Sequence, residues 1–245
     1  MSYSLQGKSV LVTGANRGIG KALVQALIER GAKRIYAAGR NSEGLAAIVQ
    51  LAPSIVEAVQ LEVTRAEDIQ QLAGKLKQLD VLINNAGIAT GITFSAETSL
   101  SIASAEMAVN YFGPVHLTHA LLPLLRASKG AVVNVSSIAG IANFPILGPY
   151  SASKAAVHSF TQGLRAELRG AGVFVQGVYP GPVDTDMTKD FEMDKASPAD
   201  VARIVLNGLE TGDEDIFPDA FSQAMYEVFK QNPKQLEQQF GQMLG

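Results

Sequence analysis

Tyr150 and Lys154 stand four residues apart in "PYSASKAAVHSF", Pro149 to Phe160. On a helix this spacing puts a phenol and an ammonium on one face, with Cβ atoms roughly 5–6 Å apart. A free tyrosine, with a pKa near 10, exchanges its proton poorly at neutral pH. A cation about 5 Å away, at an effective dielectric of about 20, favours the phenolate by roughly 3 kcal/mol, or about 2 pKa units. Desolvation opposes this, so a value of about 8 is expected, within reach of general acid–base chemistry. Spacing alone is not specific, because "YEVFK", Tyr226 to Lys230, repeats the pair.

A second constellation is "VLVTGANRGIG", with Gly14, Gly18 and Gly20 between a β-branched run and a helical pattern. Glycines there permit a tight turn and let a phosphate approach the backbone, while the helix offers free N–H groups to a pyrophosphate. An acid about 20 residues on would hold the ribose 2′-OH of NAD. Here the place reads "AAGRN", with Arg40 and no acid, and Arg17 lies in the turn itself. Two guanidiniums on a 2′-phosphate form charge-assisted bonds of roughly 1.5–3 kcal/mol each. Half of that still discriminates about tenfold. NADP(H) is therefore expected over NAD(H).

The elements that would carry these residues alternate along the chain. "SVLVTG" (9–14), "RIYAAG" (34–39), "IVEAVQLEV" (55–63), "DVLINNAG" (80–87), "GAVVNVSS" (130–137) and "GVFVQGVYPG" (172–181) read as strands separated by helical patterns. Their continuous apolar character suits strands covered on both faces, as in a parallel sheet. Right-handed crossovers then give a doubly wound α/β three-layer sandwich. No linker, charge block or repeat divides residues 1–245, so one domain is expected. It carries a short substrate loop at about 184–198 and a helical tail at about 220–245, which Pro233 should break.

Composition narrows the function classes. A net charge of −3 offers no general attraction for nucleic acid. Without cysteine, disulfides, thiolate metal sites and a cysteine nucleophile are excluded. His116 and His119 share a helix face, but no third ligand accompanies them, and no metal is expected. The opening stretch has no signal-like pattern and no apolar run reaches the roughly 18 residues a membrane span needs. A cytoplasmic protein with no membrane partner is expected.

The glycine turn, "NNAG" (84–87), Asn110, "NVSS" (134–137), "YSASK" (150–154) and "PGPVDTDM" (180–187) occur in this order. With them the chain resembles the short-chain dehydrogenase/reductase family from about Lys8 to Met187. The resemblance implies a Rossmann-type sheet of about seven parallel strands and interconversion of alcohols and carbonyls with a nicotinamide cofactor. It implies catalytic roles for Asn110, Ser137, Tyr150 and Lys154. Ser137 precedes Tyr150 by the family's spacing, whereas Tyr226 follows no such motif. Cofactor contacts would come from Gly14, Asn16, Arg17, Gly18, Ile19 and Gly20, and from Arg40, Glu62 and Val63. Asn84, Ala86, Gly87, Tyr150, Lys154, Pro180, Val183 and Thr185 would complete the set, with the Val183 backbone on the carboxamide. Asn110 would hold a relay water through its helix backbone. Glu62 departs from the family's usual aspartate.

Ile138, Ile141, Phe144, Ile146 and Leu147 in "IAGIANFPILGP" offer apolar walls, with Asn143 the polar exception. An apolar ketone or aldehyde is the expected substrate, and a homo-oligomer (dimer or tetramer) the expected state. The alternatives are a 3-oxoacyl or hydroxysteroid-type ketoreductase and a non-enzymatic dinucleotide-sensing protein.

Overall fold

The computed structural model describes residues 3–244. Seven parallel strands form one sheet in the spatial order β3-β2-β1-β4-β5-β6-β7. They are β1 (Ser9–Thr13), β2 (Arg34–Gly39), β3 (Val56–Gln60), β4 (Val81–Asn84), β5 (Ala131–Val135), β6 (Phe174–Val178) and β7 (Asp215–Ile216). The helices are α1 (Gly18–Glu29), α2 (Ser42–Val49), α3 (Ala66–Lys75), α4 (Ser99–Met107), α5 (Gly113–Ser128), α6 (Gly148–Leu168), α7 (Pro198–Thr211), α8 (Ala220–Gln231) and α9 (Pro233–Gly241).

Alternating strand residues divide the core into two layers. Val10 and Val12 of β1 pack with Leu23 and Leu27 of α1 and Val201 and Val205 of α7. Leu11, between them, faces Leu72 of α3, Leu117 and Leu121 of α5, and Leu164 of α6. All five β1 residues are buried, as a two-sided strand requires. The result is the expected three-layer Rossmann-type sandwich.

Strands stop earlier than their apolar runs: β4 ends at Asn84, β5 at Val135 and β6 at Val178. Strand order reverses beside β1, between β2 and β4. Residues just past the carboxyl ends there line the crevice such sheets use for ligands. The early ends bring Gly14, Asn85–Gly87, Ser137 and Pro180 to that crevice. Asn84 is different. Its Nδ2 donates to Asn134 Oδ1 (2.9 Å) and Thr118 Oγ1 (3.1 Å) inside the sheet–helix layer. Asn134 in turn donates to Thr161 Oγ1 of α6 (3.0 Å), so the two asparagines tie β4, β5, α5 and α6 together.

The tail does more than its polar sequence suggests. α8 ends at Gln231 and Pro233 opens α9, whose Leu236 and Phe240 are buried against Phe144 and Leu147. Phe144 and Phe240 meet edge-on with ring centroids 4.9 Å apart, a favoured aromatic geometry. Phe240→Ala should cost about 3–5 kcal/mol. A lower Tm and faster proteolysis within 233–244 would register it; an unchanged melt would mean that α9 is not held by this contact. Among the described residues, no helix is long and apolar enough to cross a membrane.

Candidate active site

α6 begins with Gly148 and Pro149 in its first turn and carries Tyr150 and Lys154 on one face. Lys154 Nζ stands 5.6 Å from the centre of the Tyr150 ring, and Lys230 Nζ stands 5.5 Å from that of Tyr226. Distance does not separate the two pairs, but their surroundings do. Lys154 is 4% exposed and donates to the Val135 carbonyl at 2.8 Å. Lys230 is exposed and paired with Glu227 at 2.7 Å, while the Tyr226 ring is stacked on Phe217.

Burial also overturns the expected balance at Tyr150. It pushes the Tyr150 phenol up to about 12, the Ser137 hydroxyl pulls it down in part, and the charge of Glu106 adds to the rise. Burial lowers the Lys154 ammonium to about 8. The value of about 8 expected for the tyrosine thus belongs to the lysine. The physical reason is that both groups lose water together, and the ammonium points at a backbone carbonyl. Desolvation then outweighs the attraction across the pair.

Tyr150 and Lys154 lie in a cleft of about 1190 Å³ that runs from the glycine turn to the α6 start. Of the catalytic and cofactor-binding residues expected from the sequence, all but Asn84 and Asn110 line it. Gly14 has φ +65°, and a Cβ on Gly20 would sit 2.1 Å from the Gly14 carbonyl oxygen. Only glycine permits this close turn, and the turn leaves the α1 N-terminus open to a pyrophosphate. The residues present therefore fit a dinucleotide.

Both arginines expected at the 2′-phosphate are already paired. Arg17 Nη1 lies 3.0 Å from Asp186 Oδ2, and Arg40 Nη1 lies 3.4 Å from Glu62 Oε2. Such exposed pairs contribute about 0–1 kcal/mol, so a phosphate that engages both guanidiniums displaces them at small cost. Glu62 also accepts from the Thr64 amide at 3.3 Å.

Asn110 sits in a π-turn, Ala108–Phe112, between α4 and α5. Such turns offset the hydrogen-bond ladder and often mark functional sites. Its Oδ1 accepts from the Ile88 amide (2.8 Å), and its Nδ2 donates to the Ile88 carbonyl and to Ser153 Oγ (both 2.9 Å). The side chain therefore braces the cleft wall from behind. Ser137 Oγ accepts from the Ala139 amide (3.1 Å) and donates weakly to the Pro180 carbonyl (3.3 Å).

Of the expected apolar wall, Ile138, Phe144 and Leu147 line the cleft, whereas Ile141, Ile146 and Asn143 do not. Phe191 from the substrate loop and Phe221 from α8 replace them. Neither carried a motif, since each is a lone aromatic in a polar stretch. Thr13 and Asn85 were missed as well. Thr13 Oγ1 accepts from the Asn85 and Ala86 amides, and Asn85 Nδ2 donates to the Thr13 carbonyl at 2.8 Å. Doubling of asparagine in "NNAG" is the sequence signal: one side chain locks the core, the next the turn. The loop's ends are joined where Asp184 N donates to the Ala196 carbonyl and Ala196 N to that of Pro182. His158 shares a hydrogen bond with the Tyr179 hydroxyl at 2.8 Å, whereas His116 and His119 are exposed.

The family model for short chain dehydrogenase matches residues 8–196. An oxidoreductase of Staphylococcus saprophyticus is 35% identical over 218 residues, covering 84% of this chain and 92% of that protein. A Staphylococcus aureus oxidoreductase is 38% identical over 216 residues, with the same coverage. A short chain dehydrogenase from Burkholderia cenocepacia, solved in complex with NADP, superposes with a TM-score of 0.92 at 34% identity. That match covers 97% of this chain and 99% of the other. A short-chain dehydrogenase from Streptomyces avermitilis superposes at 0.87 with 27% identity. With its motifs in the family's order and a family match over most of its length, this chain belongs to the short-chain dehydrogenase/reductase family.

Proposed function

We propose that the protein is an NADPH-dependent oxidoreductase that reversibly reduces apolar ketones and aldehydes to alcohols, with Tyr150 as general acid and base. The observation that carries this reading is the half-buried Tyr150 beside the buried Lys154 and Ser137, in a cleft that begins at the glycine turn. The NADP in the Burkholderia relative supports the cofactor choice.

When bound, the cofactor supplies or accepts the hydride. The protein's task is the oxygen end. Tyr150, raised to about 12, is protonated throughout the neutral range and donates to the carbonyl oxygen as negative charge builds there. Ser137 releases its long bond to Pro180 and donates to the same oxygen. Lys154, at about 8, is still charged at neutral pH and offsets the cost of the phenolate left behind. Its ammonium would also hold the nicotinamide ribose. Phe144, Leu147, Phe191 and Phe221 exclude water and accept an apolar body. In the reverse direction Tyr150 must first lose its proton, so alcohol oxidation should climb with pH well above neutrality.

The test is NADPH oxidation by the purified protein with aryl alkyl ketones, aliphatic aldehydes, a steroid ketone and a 3-oxoacyl thioester. Turnover of the first two classes supports the reading, and turnover of the thioester alone would redirect it. Tight NADPH binding with no turnover of any class would favour a sensing role. Arg40→Asp should lower the preference for NADPH over NADH about tenfold or more. An unchanged ratio of kcat/KM values would remove Arg40 from the 2′-phosphate. Leu100 and Phe112 are exposed apolar side chains and support a homo-oligomeric state.

A further inference from the structure

α4 presents a buried carboxylate one turn before Asn110. Glu106 is 1% exposed and is the only charged residue of that helix. Its Oε1 accepts from the Thr90 amide at 2.8 Å, while Oε2 has no hydrogen-bond partner. A buried carboxylate with one oxygen left unpartnered is unfavourable, and such a group calls for a reason.

The neighbours supply one. Glu106 and Asn110, on either side of the junction between α4 and the π-turn, grip the same segment. Asn110 takes the amide and carbonyl of Ile88, Glu106 takes the amide of Thr90, and Ile88–Thr90 lines the cleft. Asn110 also donates to Ser153 Oγ, which donates to the Tyr150 carbonyl at 2.7 Å. Carboxylate, cleft wall and the start of the catalytic helix form one hydrogen-bonded unit.

We propose that Glu106 is a positioning residue for the proton donor, fixing the Ile88–Thr90 wall and setting a negative charge behind Tyr150. This rests on Tyr150 being the acid and base of the reaction. Burial pushes the Glu106 carboxyl above its ordinary value against the pull of Thr90, and its charge adds to the rise at Tyr150. The titratable groups on the elements packed against α4 are Tyr150, Lys154, His158, Arg165 and Glu167 of α6 and Tyr111 of the π-turn, with Lys154 engaged by Val135, and the exposed Glu97 lies ahead of α4. Among these, Tyr150 is the group that feels its charge. The charge adds to burial in keeping the phenol protonated, the form that carbonyl reduction needs.

Glu106→Gln separates charge from scaffold, because an amide oxygen still accepts from Thr90. The profile of kcat/KM against pH for alcohol oxidation should move to lower pH. On its rising limb the rate constant should increase by about twofold or more. The profile for ketone reduction should move with it, since the overall equilibrium fixes their ratio. A second readout needs no substrate. A carboxyl raised in the fold holds its proton more tightly than the unfolded chain does, so stability falls as pH rises through that interval. Glu106→Gln escapes this loss. Its Tm should exceed that of the wild type by about 2–4 °C at pH 8, and the two should converge at pH 4. Superimposable pH profiles, or a variant less stable than the wild type at pH 8, would overturn the proposal. If instead Tyr150→Phe kept its turnover, the reading of Tyr150 would fail, while the Tm comparison would still judge Glu106.

Discussion

Replacing Tyr150 with phenylalanine should leave NADPH binding in place and lower turnover by about 10²-fold or more. The ring, its packing against Phe144 and Ala139, and the α6 start all survive the change. What is lost is the phenol proposed to give the substrate oxygen its proton, and the Ser137 hydroxyl beside it can donate a hydrogen bond but is too weak an acid to replace it. Cofactor affinity, measured by fluorescence, should stay within about twofold of the wild type, since the phosphate-binding turn is untouched. Near-normal turnover would show that the phenol is not the acid.

Lys154→Met should abolish most activity and yet stabilise the fold at neutral pH. In the fold the ammonium titrates at about 8, against an ordinary 10.5. The unfolded chain therefore binds the proton more tightly between those values. Stability rises with pH through that window and is lowest below it, where the buried lysine must carry its charge. A shift of that size corresponds to about 3 kcal/mol at pH 7. The lost bond to Val135 returns part of it, leaving a net gain of about 1–3 kcal/mol. Tm should rise at pH 7 and the difference should shrink by pH 10, while turnover falls by about 10²-fold or more. A variant less stable at pH 7 than the wild type would show that the fold does not carry this charge at a cost. Trade-offs of this form are common where a site is kept for function.

The alternation of apolar runs with helical patterns was enough to locate six of the strands and the crossover helices. Only β7, two residues long, hid within "EDIFPD". Strand ends were overextended, because residues such as Asn85 and Ser137 continue the apolar–polar texture after the backbone has left the sheet. Motif order pointed to Tyr150, Lys154 and Ser137, which fixed spacing on a helix and past a strand end brings into one cleft. What spacing could not carry was environment. The Tyr226 pair matches the Tyr150 pair in distance and differs in exposure. Burial, a tertiary property, decided which of two titrating groups moved in which direction. The same holds for Glu106, which in sequence looks like any solvated helix residue, and for Phe221 and Phe240. Phe221 lines the cleft and Phe240 packs against Phe144 only because α8 and α9 fold back toward it. Asn84 shows the opposite error: its motif is real, but its side chain serves the core.

The central claim is hydride transfer completed by a proton from Tyr150. Its most direct test follows deuterium from C4-labelled NADPH into an aryl alkyl ketone, with mass spectrometry of the alcohol formed. Label on the carbinol carbon with the wild-type protein, and its near absence with Tyr150→Phe, is the expected result. Full NADPH occupancy with no labelled alcohol from any ketone or aldehyde supplied would contradict it.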